Sequence, residues 1–106
     1  MILKVVTSSS DYSEVYGIGY NKIASIDTGG SLTKLNMVFD SGYSNQNQVI
    51  TLTIDSGKAN EVIECINVAI SKAFNAQQFA VTLIDKYSNY KICPFITDVE
   101  VKIRKV

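Results

Sequence analysis

The spacing of apolar and polar residues changes several times along the chain, and each spacing predicts an element. Ile2 to Val6 is a short β-type run, and Thr7 to Ser13 is a Ser-rich polar loop. Val15 to Ile26 reads as one long strand, interrupted by Gly17 and Gly19. The segment Asp27-Thr28-Gly29-Gly30-Ser31 is a turn, because paired glycines supply the positive φ that a tight hairpin requires. From Leu32 to Asp40 the residues Thr33, Leu35, Met37 and Phe39 share one face, the period of two of a half-buried strand. Ser41 to Gln48 is a polar loop. Val49 to Ile54 is again a strand, rich in β-branched residues that suit a pleated sheet.

The period then switches from two to 3.6. Ala59, Val62, Ile63, Ile66, Ala69, Ile70, Ala73 and Phe74 form one apolar stripe, and Asn60, Glu64, Asn67, Ser71 and Asn75 lie opposite. Asp55 or Ser56 is the expected N-cap, since either side chain can accept from a free N–H of the first turn. Glu61 and Glu64 in the first half and Lys72 near the end match the helix dipole. The helix should end at Ala76 or Gln77. Phe79 to Asp85 is the next strand, Lys86 to Pro94 a loop, and Thr97 to Arg104 the last strand, with Val99, Val101 and Ile103 on one side.

A helix with a single apolar stripe must lay that stripe on a sheet. The expected class is therefore α+β, in the order β-β-β-β-α-β-β. The expected architecture is a mostly antiparallel sheet of five or six strands with the amphipathic helix packed on one face. The length of 106 residues fits one domain, residues 1–106. A hydrophobic fraction of 46% is that of a globular chain.

Ten basic and ten acidic residues cancel, which argues against a partner captured by strong charge, such as duplex DNA or an anionic membrane. Met1 to Val6 is too short for the apolar core of a signal peptide, and no stretch approaches the roughly 18 apolar residues of a membrane span. A cytoplasmic setting, or a particle assembled there, is the expectation. Two cysteines, Cys65 and Cys93, permit one disulfide; two reduced, partly buried thiols are the favoured reading.

The chain has no histidine. Ser-His-Asp and Cys-His arrangements are therefore excluded within one chain, and a zinc site would lack good third and fourth ligands. No cofactor, metal site or enzymatic activity is expected. Strand-end carboxylates at Asp40, Asp55 and Asp85 can gather into a cation site or an acid–base pair if the ends adjoin; the favoured reading is turn and cap chemistry, which predicts aspartate at these positions anyway. Gly17-Ile18-Gly19 lacks the third glycine of a dinucleotide fingerprint and leads into more strand. Ser56, Gly57 and Lys58 at a helix N-terminus can hold an anion, or can simply cap the helix. Tyr16 and Tyr20 on one strand face, with Lys22 and Lys34 nearby, can stack single-stranded nucleic acid; the favoured reading gives that face to the core, since the neutral net charge weakens nucleic-acid binding. Val68 lies nearly opposite the apolar stripe, beside Cys65. It is either an ordinary exposed valine or the centre of a contact.

The run Val49-Ile50-Thr51-Leu52-Thr53-Ile54-Asp55-Ser56-Gly57-Lys58, continuing through Glu61-Val62-Ile63, resembles segments of small uncharacterised proteins of marine tailed bacteriophages. The resemblance covers about a quarter of the chain and carries no catalytic residues. It implies a small virion component or accessory protein that works by assembly. The functional expectation is a non-enzymatic structural or interaction protein, partnered by itself or by a larger assembly. The alternative is a single-stranded nucleic-acid-binding module.

Overall fold

Tyr20, Asn21 and Lys22 break the run that reads as one long strand, and that break divides the fold. In the computed structural model, which describes residues 1–7, 15–40 and 46–105, these three residues form a 3-10 turn. The strand before the turn and the strand after it belong to different sheets. The elements are β1 (Ile2–Val6), β2 (Val15–Gly19), β3 (Ile23–Asp27), β4 (Lys34–Asp40), β5 (Gln46–Ile54), α1 (Ala59–Asn75), β6 (Ala80–Asp85), β7 (Tyr90–Lys91) and β8 (Ile96–Lys105).

The class is α+β, with one helix set between strands and mostly antiparallel pairing. The expected single sheet of five or six strands is instead two four-stranded sheets, ordered β2-β1-β6-β7 and β3-β4-β5-β8. Among the described residues the β1–β6 pair is parallel and the other pairs are antiparallel. Two features account for the difference. The 3-10 turn sends the chain from one sheet to the other, and the short β7 pairs with Ile84 and Asp85 inside the segment expected to be loop. Of the two polar loops expected on either side of the early strands, residues 8–13 and 41–45 lie outside the described residues, while Gln46 to Gln48 extend β5.

The hairpin between β3 and β4 follows the expected chemistry. Gly29 and Gly30 have φ of 59° and 79°, and Ser31 N–H donates to Thr28 O at 3.0 Å. Positive φ at both central residues is the type I′ geometry that matches strand twist. Register on one face of the second sheet is fixed by a side-chain ladder. Thr51 Oγ1 donates to Asn36 Oδ1 at 2.9 Å, and Asn36 Nδ2 donates to Asp27 Oδ1 at 3.3 Å. These residues are paired directly across β5, β4 and β3. A slip of one residue would break both bonds and turn the opposite apolar set outward.

That apolar set meets α1. The core draws Leu35, Met37, Phe39, Ile50 and Leu52 from the second sheet, and Leu3, Val5, Val81, Leu83 and Ile84 from the first. It is completed by Val62, Ile66, Ile70 and Ala73 of the helix. A register shift between Lys4 and Val5, opposite Leu83, lets both Leu83 and Ile84 enter this core. That is the usual effect of an extra residue in one strand. Burying each Val or Ile side chain of the helix stripe stabilises the fold by about 1.5–3 kcal/mol.

Both ends of α1 depart from simple capping. The expected N-caps, Asp55 and Ser56, lie three and two residues too early. The cap position is Lys58, which makes no side-chain cap bond. Asp55 to Lys58 form a turn instead, with Lys58 N–H donating to Asp55 O at 3.1 Å and Gly57 at φ 75°. Positive φ at the third residue of a turn is what calls for glycine there. At the C-terminus Gln78 N–H donates to Ala73 O at 2.8 Å and Gln77 N–H to Phe74 O at 3.1 Å, a Schellman motif. Gln77 holds the left-handed position at φ 56°.

A left-handed conformation costs an L-residue about 1–2 kcal/mol, and glycine gives back about 0.5–1 kcal/mol through its freer unfolded state. Gln77→Gly should therefore raise unfolding free energy by about 0.5–1 kcal/mol, measured as a higher urea midpoint at unchanged slope.

Candidate functional site

The helix covers the core with one stripe and leaves a flank exposed toward the segment that joins β7 to β8. Along this flank Asn60, Glu61, Glu64, Cys65, Val68, Ala69 and Lys72 form one wall of an open groove, and Ile92 and Phe95 form the other. Its volume is about 570 Å³. A second depression of about 600 Å³ shares Ala69, Lys72 and Ile92 with it and continues toward Ala80, Thr82 and Tyr90. The two make one trough along the side of α1. Its floor is apolar because Cys65 and Ala69 stand between the buried stripe and the outer face, and its helix rim carries Glu61, Glu64 and Lys72.

Val68 is 46% exposed in this wall, and Leu32, 69% exposed, lies at the helix N-terminal end. The backbone fixes that neighbourhood. Gly57 N–H donates to Leu32 O at 3.0 Å and Asp55 N–H to Phe95 O at 2.8 Å. The Lys58 ammonium stands over the Phe95 ring, 5.2 Å from its centroid. Val68 and Cys65, read together from the helical wheel, thus line the same groove.

Of the three anion candidates Ser56 is exposed, and Gly57 and Lys58 are otherwise engaged. The Gly57 and Lys58 amides donate to Leu32 O and Asp55 O, and the Lys58 side chain lies on Phe95. Two amides and the ammonium that an anion would need are thus turned to local structure.

The four residues considered for nucleic acid do not share a face. Tyr16 is on β2 in the first sheet, paired with Val5. Tyr20 has left the strand for the 3-10 turn, where its ring meets Phe74 edge-on at 5.7 Å. Lys22 ends that turn and is exposed. Lys34 is on β4 in the second sheet and donates to Thr53 Oγ1 at 2.8 Å. Lys22 adjoins Ile23, whose partner is Phe39. Lys34 is therefore about 17 Å away along the strand at the ordinary strand rise. The expected strand face carrying both tyrosines is absent because the chain changes sheets between them.

The strand-end aspartates are also apart. Asp40 pairs with Asn47 at one end of β5 and Asp55 follows the other end, a separation of about 27 Å. Asp85 accepts from Tyr87 N–H at 3.0 Å and Ser88 N–H at 3.1 Å through the same oxygen. Its role is to close the turn after β6.

Lys86, just past β6, donates to Asp98 Oδ1 of β8 at 2.9 Å and so ties one sheet to the other. The Lys86 hydrogen bond, followed by a backbone bond from Val99, holds the Asp98 carboxyl below its ordinary value. Cys65 and Cys93 are both free thiols, and the neighbouring Cys93 together with burial pushes the Cys65 thiol above its ordinary value. Sequence reasoning missed Ile92 and Phe95 as groove residues, because they sit in a segment with no periodicity to place them.

No family model matches the chain, and no curated protein or solved structure is significantly similar to it. Among the described residues no helix is long and apolar enough to cross a membrane.

Because the folded-state pKa of Asp98 is depressed, its contribution is present above the unfolded carboxylate value of about 3.9 and is lost as pH falls through the folded value. Both partners are more than a third exposed, so solvent screening limits the pair to about 0.2–1 kcal/mol. Asp98→Asn should cost that amount at pH 7. It should also reduce the loss of stability between pH 5 and pH 2, followed by thermal melts across that range.

Proposed function

We propose that this protein is a non-enzymatic interaction module that self-associates through the exposed flank of α1, two copies packing helix against helix about a two-fold axis at Val68. The observation that carries the reading is the order of charge around that residue. Glu64 lies four residues before Val68 and Lys72 four residues after it, all on the wall of an apolar groove. In an antiparallel two-fold pair, residues equally spaced from the axis face one another, so Glu64 of each copy meets Lys72 of the other. Among the described residues neither side chain has an ion-pair partner within the chain. The surface is thus complementary to itself, with an apolar centre and opposite charges on either side.

The same arrangement supports binding over catalysis. Histidine is absent, Asp85 is spent on a turn, and Asp40 and Asp55 stand at opposite ends of a strand. As the setting we propose a small virion or accessory component. That part rests on the resemblance in residues 49–63 and on nothing in the fold.

Solution mass by size-exclusion chromatography with light scattering tests the reading. Wild type should form a dimer. Glu64→Lys and Lys72→Glu should each weaken it by about tenfold or more, since two symmetric contacts turn from attraction to repulsion. The double reversal Glu64→Lys/Lys72→Glu should restore it, and Val68→Lys should leave monomer. A wild-type monomer at high concentration, or a dimer indifferent to all four variants, would overturn the proposal.

A further inference from the structure

Beside the C-terminal half of α1 the first sheet has an open edge. β1 pairs in parallel with one side of β6, Ile2 opposite Ala80 and Lys4 opposite Thr82. Ile2 N–H donates to Phe79 O at 2.9 Å, so the Phe79 backbone points toward β1. Successive residues of a strand turn their backbone groups to opposite sides, so those of Ala80 and Thr82 point away from β1. On that side β7 pairs with Ile84 and Asp85. Ile92 N–H still reaches Leu83 O at 3.0 Å, and the next residue, Cys93, is buried in the core. Among the described residues no strand therefore lies beside Ala80–Thr82 on the line that β7 leaves. Ala80 and Thr82 each present a donor and an acceptor there. The edge opens into the depression of about 600 Å³, which Ala80, Val81 and Thr82 line on one side and Ala69, Ala73 and Ala76 on the other. Alanine at those three positions holds the helix wall back from the edge.

We propose that this cleft takes a short extended segment of a partner protein, which adds to the first sheet as an antiparallel strand beside Ala80–Thr82, in line with β7. The backbone of the segment meets the outward N–H and C=O groups of Ala80 and Thr82, as in strand addition generally. Its middle residue lies opposite Val81. Side chains opposite one another across a strand pair share a face, and Val81 is buried in the core that α1 covers. The middle side chain therefore points toward the alanines, a wall that accepts an apolar group. The open lane runs only from Ala80 to Thr82, whereas the described strands other than β7 are five to ten residues long. It suits a partner's extended segment rather than a strand of a second copy. The inference stands on the backbone of β6 and holds whether or not the protein self-associates at Val68.

The test is selection of a displayed library of random short peptides against Val68→Lys, which keeps self-association out of the reading. Expected are binders that share one apolar position and slow hydrogen exchange at the Ala80 and Thr82 amides, read by NMR, by about tenfold or more. N-methylation of the peptide amides on either side of the apolar residue should weaken binding by about tenfold or more, because those amides face β6. N-methylation of the apolar residue's own amide, which faces outward, should leave binding unchanged. Thr82→Pro removes an outward N–H and no bond to β1, so the protein should fold and lose the binders; the methylated peptides decide the matter if it does not fold. A library that yields no binder, protection away from Ala80 and Thr82, or binding indifferent to the position of the methyl group would overturn the proposal. So would protection of these two amides with rising concentration of peptide-free wild type, since a second copy then fills the lane.

Discussion

Everything in this fold depends on covering the apolar stripe of α1. Val62, Ile66, Ile70 and Ala73 lie along one side of the helix and are all buried. Neither four-stranded sheet provides the whole cover. Met37 and Leu35 belong to the second sheet, Val81 and Leu83 to the first, and all join the helix residues in one core. The helix is therefore the element both sheets share, and the connections between the sheets exist to keep it so. The chain passes from one sheet to the other at Tyr20–Lys22, through α1 itself, and through the segment from Ile92 to Phe95. The Lys86–Asp98 pair adds a small electrostatic tie between β6 and β8, worth far less than the burial it accompanies.

Covering one stripe leaves the rest of the helix surface free for other work. The flank toward Ile92 and Phe95 is where the apolar residues run out before the charged face begins, and Cys65, Val68 and Ala69 sit at that border. An exposed valine there lowers no core energy. In the proposed self-association a second apolar surface lies on it, and the charges at Glu64 and Lys72 would select which surface that is.

Much of this was legible in the residues. The 3.6 period located α1, with its start placed two or three residues early and its end one or two residues late, because a long amphipathic stripe is a strong signal. Gly29-Gly30 marked the hairpin for the same reason that the conformation needs glycine. The division into two sheets was harder to read. Between Gly19 and Ile23 the alternation is broken by Asn21 and Lys22, a short polar interruption that a strand with glycines already in it conceals. That one misreading placed Tyr16 and Tyr20 on a common face and so produced the nucleic-acid alternative. The N-cap was misplaced because Asp55 and Ser56 have cap chemistry, yet Gly57 permits a turn that delays the helix to Ala59. Val68 stood out on the helical wheel, whereas its groove partners Ile92 and Phe95 are placed by tertiary packing alone.

The central structural claim is that α1 welds two sheets into one cooperative core. Native-state hydrogen exchange in low denaturant tests it directly. The slowest amides of β1 and β6 and those of β4 and β5 should exchange through a single opening, with the free energy of global unfolding. Exchange of one sheet through a smaller opening, while the other stays protected, would contradict a shared core.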